Sequence, residues 1–300
     1  MEVTASDLPD LHCHSTASDG ILSPEELVSR ARCQGVTILA LTDHDTVSGV
    51  AAARRAGQRE GVTIVPGIEF STRWGRRQVH VVGLNIDAES AVLEAAVGER
   101  DLLRRKRAER IAARLAQRGF AGALAGARSF AGQSGVLGRP HFARWLVEAG
   151  HVQDVARAFR RYLGAGKAGD VAVEWPQLAE TIASIEAAGG TAVLAHPLKY
   201  GFTRTQLRQL LIDFHRAGGA AVELMCGRQN PTQTRDLRQL LASVARETHA
   251  EPLLCSVGSD FHQPGQSWRE LGCVRLPEDV EPVWNLWHTN PLERGRPVDT

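Results

Sequence analysis

The histidines and carboxylates of this chain fall in a pattern that suits divalent-metal chemistry. His12 and His14 end an early apolar run, with Asp19 just beyond; Asp43 and His44 follow Leu41; Glu69 follows Pro66 and Gly67. His196 ends Ala192–Ala195, and Asp260 and His262 follow Ser256–Ser259. Residues i and i+2 of a strand point to one side, so His12 and His14 can share an ion while Cys13 turns into packing. Asp260 and His262 do the same if their segment is extended. His12, His14, Asp19, His44, Glu69, His80, His196, Asp260 and His262 supply six imidazoles and three carboxylates. That set suits two or three Zn, Mn or Fe ions with positions left open for water and substrate. A lone histidine at a strand end is more often structural than a ligand. The joint pattern is hard to explain by structure. His141, His151, His215, His249 and His288 default to structural roles, with His141 in Gly138-Arg139-Pro140-His141 the one whose setting also suits a functional role.

These residues need elements to position them. The spacing predicts a strand ending in Leu11–His14, then a helix opened by a Ser23/Glu26 capping box with Pro24 in its first turn. Thr37–Leu41 reads as a buried strand, Val47–Arg59 as a helix, and Val62–Val65 as a strand broken by Pro66-Gly67. Val79–Leu84 is a further strand, with His80 at its start rather than its end. From about residue 90 to 170 no strand pattern appears, and Glu94–Gln117 has the composition of a long amphipathic helix. Alternation resumes over Gln177–Ala188 (helix), Thr191–Ala195 (strand), Thr205–Ala217 (helix), Ala220–Met225 (strand), Thr232–Glu247 (helix) and Leu253–Val257 (strand). The expected fold is α/β: a distorted TIM-like barrel from residues 1–88 and 171–300, with 89–170 as a helical insertion, or lid. An open doubly wound sheet is the alternative. Apart from His80, every candidate ligand lies at a strand's C-terminal end, the face on which α/β barrels build active sites.

Composition narrows the class. With 35 basic and 34 acidic side chains the net charge is +1, so no global field draws the protein to duplex DNA or membrane. No apolar run approaches the roughly 20 residues that cross a bilayer. The N-terminal residues lack the pattern of a signal peptide. Five unpatterned cysteines make a poor disulfide framework, so a reducing cytoplasm is expected. The expected state is a monomer. There is no Gly-x-Ser-x-Gly nucleophile motif.

Asp10-Leu-His-Cys-His14, Ser18-Asp-Gly20, Thr42-Asp-His-Asp45, Pro66-Gly-Ile-Glu69, Ala195-His-Pro197 and Gly258-Ser-Asp-Phe-His262 resemble the motifs of the polymerase and histidinol phosphatase (PHP) superfamily. The resemblance covers nearly the whole chain. It narrows at His80–Asp87, Gly138–Val147 and Tyr162–Lys167 to a bacterial subgroup that hydrolyses nucleoside 3′,5′-bisphosphates and degrades RNA from its 5′ end. It implies a distorted (β/α)7 barrel (the PHP fold) and a trinuclear metal site. Manganese is the expected ion, with Fe²⁺, Zn²⁺ or Mg²⁺ as substitutes. The first ion would take His12, His14 and Asp260 with Glu69 bridging, the second Asp19, His44 and His262, and the third Glu69, His80 and His196. Asp43 would be a further ligand or would instead orient a ligand histidine by a hydrogen bond; Glu223 would contact ribose or a metal-bound water, or serve as a buried hydrogen-bonding group. The expected substrates are nucleoside 3′,5′-bisphosphates and short 5′-phosphorylated oligoribonucleotides. Their second phosphate needs cations, for which Arg139, Lys167, Lys199 and Arg204 are candidates. The alternatives are a histidinol-phosphate or other small-molecule phosphatase, an amidohydrolase-type C–N hydrolase, and a non-catalytic PHP module.

Overall fold

The computed structural model describes residues 3–4, 6–132 and 135–287; His288 lies outside them. Its strands are β1 (Pro9–Cys13), β2 (Ile38–Leu41), β3 (Thr63–Trp74), β4 (Arg77–Leu84), β5 (Thr191–Leu194), β6 (Ala221–Cys226) and β7 (Leu254–Gly258). Among the described residues they form one seven-stranded sheet in sequential order, β1 to β7. The sheet curls until its ends meet. Cys13 bridges Phe261 in parallel, the His14 N–H donates to Phe261 O at 2.9 Å, and the Asp260 N–H donates to His12 O at 2.8 Å. One apolar cluster draws Leu11, Ala40, Val65, Val82, Val193 and Ala221 from six successive strands, which only the inside of a ring can bring together. The barrel, not the open sheet, is therefore the architecture.

The helices around it are α1 (Pro24–Cys33), α2 (Val50–Glu60), α7 (Leu178–Ala187), α8 (Arg204–Arg216) and α9 (Pro231–Thr248). Short parallel strands covered on both faces read as near-continuous apolar runs, as Ile38–Leu41 does. Leu39 and Leu41 pack with Leu27, Val28 and Ala53 of α1 and α2. Each fully buried Leu contributes about 1.5–3 kcal/mol. The Ser23/Glu26 capping box is formed as the sequence suggests.

Two expectations about β3 and β4 change. Pro66-Gly67 does not break β3. Up to Pro66 the strand pairs with β2, and from Gly67 it pairs with β4. The proline, which has no N–H to give, sits where the strand changes partner. Gly67 serves a close approach, since a Cβ there would stand 2.8 Å from Thr42 Cγ2. β4 runs antiparallel to both β3 and β5, whereas the other pairs are parallel. Its N-terminal end therefore lies at the same mouth as the C-terminal ends of its neighbours, which is why His80 looked misplaced by strand position alone.

Between β4 and β5 the chain is helical: α3 (Ala91–Ala116), α4 (Ala123–Arg128), α5 (Arg139–Glu148) and α6 (Val155–Ala158). The helix expected over 152–162 is shorter, and it ends in a π-helical turn at Phe159–Leu163. Ile111, Leu115, Phe142, Leu146 and Leu163 form a cluster of their own. His141 fastens α5 to the barrel. Its Nδ1 accepts the Gly138 N–H at 2.9 Å and its Nε2 donates to Ser18 O at 3.0 Å. Arg144 donates to the carbonyls of Asp19 and Gly20. Both side chains thus grip the loop that carries Asp19.

Candidate active site

Glu69 stands at the centre of the mouth, fully buried. Its Oε1 is 2.8 Å from His80 Nδ1 and 2.8 Å from His196 Nε2. Its Oε2 is 2.9 Å from His44 Nδ1 and 3.3 Å from both His12 Nε2 and His14 Nε2. Two further carboxylates flank it. Asp260 Oδ1 lies 3.5 Å from His14 Nε2, and Asp19 Oδ1 lies 3.4 Å from His262 Nε2. All nine candidate ligands converge. Their donor atoms make overlapping groups: His12/His14/Asp260, His14/Asp19/His44/His262, His12/Glu69/His196 and His44/Glu69/His80.

The chemistry of this set fits divalent cations. Two donors about 2.1 Å from one ion stand roughly 3–3.5 Å apart; His12 Nε2 and His14 Nε2 face each other at 3.1 Å. His14 Nδ1, Asp19 Oδ1, His44 Nδ1, Glu69 Oε2 and His196 Nδ1 are buried without a hydrogen bond. His44 Nδ1 approaches Glu69 Oε2 at ion-pair distance, but not in hydrogen-bond geometry. Buried polar atoms left so are costly, and a cation between them satisfies several at once. Electrostatics agrees. Burial and the neighbouring His262 and His44 push the His14 imidazolium down to about 3, so the ring is neutral and one nitrogen has a lone pair free to ligate. Burial works against the charged form of Asp19 and Glu69, yet the surrounding imidazoles hold both carboxyls well below the usual range.

The backbone is bent to make this cluster. Asp260 adopts φ 55° and His196 φ 30°, left-handed values that non-glycine residues reach only where the surroundings enforce them. Glu223 holds the second, its Oε2 accepting the His196 N–H at 2.6 Å. The bend at Asp260 corrects the extended reading of Asp260-x-His262. The two side chains stay 3.6 Å apart, His262 Nδ1 to Asp260 Oδ1, but join different donor groups. Gly258 lets β7 come this close, because a Cβ there would stand 2.3 Å from His12 Cβ.

The supporting roles are also redistributed. Asp43 touches no ligand histidine by hydrogen bond; it accepts the Ser15 N–H at 2.8 Å and the Ser15 and Ser18 hydroxyls at 2.6 Å, fixing the Asp19 loop. Glu223 does what was expected of Asp43, its Oε1 standing 2.7 Å from His12 Nδ1. That bond leaves His12 Nε2 to face the cluster. Lys199 Nζ meets Asp260 Oδ2 at 2.7 Å. Arg269, which sequence reasoning missed, reaches the same oxygen at 3.3 Å.

Beside His80 opens a cavity of about 660 Å³, lined by Arg73, Arg76, Gln78, Arg107, Arg139, Asp170 and Glu174 among others, with Glu174 paired to Arg73 at 2.8 Å. Gln78 Nε2 is 3.1 Å from His80 Nε2, so the cavity adjoins the donor cluster. Arg107 is 9% exposed and its Nε has no partner. Burial, then the like charges of Arg139 and Arg104, push its guanidinium down to about 9. Arg104 is neutralised by Asp45 at 2.6 Å. Lys167 is exposed on the turn from Gly164 to Asp170, outside the lining residues, and Arg204 is exposed at the start of α8.

The PHP domain family profile matches residues 10–176, more than half of the chain. The chain belongs to the PHP family. The PHP match ends before His196, Asp260 and His262, which the barrel brings back to the candidate ligands of the matched part. The chain is 46% identical to a 5′-3′ exoribonuclease of Haemophilus influenzae, over 92% of this chain and 97% of that protein. It is 39% identical to a 3′,5′-nucleoside bisphosphate phosphatase of Chromobacterium violaceum, over 97% of this chain and 99% of that protein. A solved structure from C. violaceum, described as an amidohydrolase with bound sulfate and no metal, superposes with a TM-score of 0.83 at 38% identity, covering 93% and 95% of the two chains. As a PHP phosphoesterase, the protein depends on metal ions.

Proposed function

We propose that this PHP protein removes the 3′-phosphate from nucleoside 3′,5′-bisphosphates. On the same reading it acts as a 5′→3′ exoribonuclease that releases 5′-mononucleotides from short 5′-phosphorylated RNA. Manganese is the proposed ion, held by His12, His14, Asp19, His44, Glu69, His80, His196, Asp260 and His262. The observation that carries the substrate is the arginine cavity adjoining His80. A buried guanidinium with an orphaned N–H and like-charged neighbours is stabilised by an anion, and Arg suits phosphate by its planar fork. A substrate with one phosphate at the cluster and a second in this cavity satisfies both sites. Histidinol phosphate or an amide brings no second phosphate to this cavity, where Asp170 and Asp45 offset the Arg107 charge only in part. The relatives named above as a bisphosphate phosphatase and an exoribonuclease support the same reading.

Bound divalent ions would supply water activation and charge neutralisation at phosphorus. The chain's residues do the rest. Glu223 fixes the His12 imidazole, while Asp43, His141 and Arg144 fix the loop bearing Asp19. Arg107 and Arg139 anchor the 5′-phosphate, which presents the 3′-phosphorus to the cluster. A terminal 3′-phosphate is then released, or a 3′-phosphodiester is cut after the first nucleotide. We further propose that the helical segment 89–170 acts as a lid, since α3 and α5 supply both arginines.

With Mn²⁺ the protein should release phosphate from a nucleoside 3′,5′-bisphosphate but not from a 5′-monophosphate; equal turnover of both would sink the anchor. Arg107→Ala should raise KM for the bisphosphate by about tenfold to a hundredfold, the scale of a charged hydrogen bond worth about 1.5–3 kcal/mol. An unchanged KM removes Arg107 from the anchor.

A further inference from the structure

The segment that leaves the mouth end of β7, away from the β4 side that bears the arginine cavity, carries an exposed indole. The ring order puts β4, with His80 and the cavity, three strands from β7, with β1 closing the circle. The chain leaving β7 passes through Asp260 and His262 and then presents Trp268, 53% exposed. Its backbone is not loose. Trp268 O accepts the Arg228 N–H at 2.7 Å, and the Arg269 N–H donates to Gln266 O at 2.9 Å. Glu270 takes a two-pronged ion pair from Arg30 at 2.9 and 2.6 Å. A fixed loop that shows a large aromatic face to solvent is a platform. Two cations border the donor cluster beside this loop: Arg269, next in the chain, and Lys199 both reach Asp260 Oδ2.

This arrangement has the two parts that single-stranded nucleic acid requires, a positive path for phosphate and a face on which any base can stack. Resting on the reading under Proposed function, the polarity follows. If the 5′-phosphate lies in the β4 cavity and the scissile phosphorus at the cluster, the rest of the strand leaves over the β6–β7 side. We propose that Trp268 and Arg269 form the subsite for the nucleotide on the 3′ side of the scissile bond, Trp268 stacking its base and Arg269 meeting the phosphate on that nucleotide's own 3′ side. This subsite serves RNA and is idle with a bisphosphate.

The test compares kcat/KM for a 5′-phosphorylated trinucleotide and for a nucleoside 3′,5′-bisphosphate. Losing one base–aromatic stack should lower the trinucleotide-to-bisphosphate ratio in Trp268→Ala by about fivefold to a hundredfold, mainly through KM. Trp268→Phe should restore most of it. An unchanged ratio, or equal loss on both substrates, overturns the subsite. A shifted elution volume of Trp268→Ala on size exclusion would mean that the ring covers a second copy, and would also overturn it. If wild-type protein hydrolyses neither substrate, the phosphoesterase reading fails by itself. The subsite is then judged by fluorescence anisotropy with a 3′-labelled, 5′-phosphorylated trinucleotide, where equal Kd for wild type and Trp268→Ala refutes it.

Discussion

Glu223 shows how much a single buried carboxylate decides. One oxygen orients His12, and the other holds His196 in a left-handed backbone. Glu223→Gln keeps the shape but can place an amide N–H against one of two groups that need an acceptor. Metal affinity should fall about tenfold to a hundredfold, the usual effect of removing a partner of a ligand histidine. Titration of the metal-free protein with Mn²⁺, followed by calorimetry, measures this; an unchanged affinity would reduce Glu223 to a packing role. The nine candidate ligands were legible because imidazoles and acids at strand ends have few structural explanations. Glu223 was not, because a carboxylate within Ala221–Cys226 reads equally as ribose contact or buried partner. Arg107 was hidden in the charge-rich α3, where an arginine ordinarily faces water. Its burial follows from how the helix sits over the barrel.

The elements explain which local rules held and which yielded. Pro66-Gly67 follows the rule for a break, yet the strand continues because its partner changes there, information that resides in β2 and β4 rather than in the dipeptide. The direction of β4 was likewise a tertiary fact, visible in the sequence only as a histidine at the wrong end. The loop after β7 is tied to α1 through Arg30 and Glu270. The hydrogen bond from Arg30 holds the Glu270 carboxyl below its ordinary 4.5. A depressed carboxyl stabilises the fold above the unfolded value, and that contribution is lost as the pH falls through the folded one. Glu270→Gln should therefore cost about 1 kcal/mol at neutral pH, a value set by partial exposure of the pair. The difference from wild type should shrink below about pH 4.5 and vanish on further acidification. Denaturant melts of metal-free protein across about pH 3–7 read the gap directly, and a gap independent of pH would deny the ion pair this role.

At the scale of the molecule, the donor cluster joins distant parts of the chain. Candidate ligands from both sides of the helical segment meet in one donor cluster, so metal binding there should act as a staple on the whole barrel. Free Mn²⁺ at about a hundred times its Kd should stabilise the fold by about 2.7 kcal/mol per independent site. The effect should reach the helical segment as well. Asp19 sits on the Ser15–Gly20 loop, and that loop is gripped by His141 and Arg144 of α5. An ion that fixes Asp19 therefore fixes the surface on which α5 rests. Amide exchange across residues 139–148 should slow when Mn²⁺ is added to metal-free protein, and chelation should reverse it. In Arg144→Ala the slowing should be weaker in α5 but retained in β1 and β7, which bear or adjoin candidate ligands directly. Uniform slowing in both proteins would show that metal stabilises the fold globally, with no specific path from Asp19 to the segment over the mouth. A loss confined to α5 would identify that segment as mobile in the metal-free protein and held down by the ions beneath it.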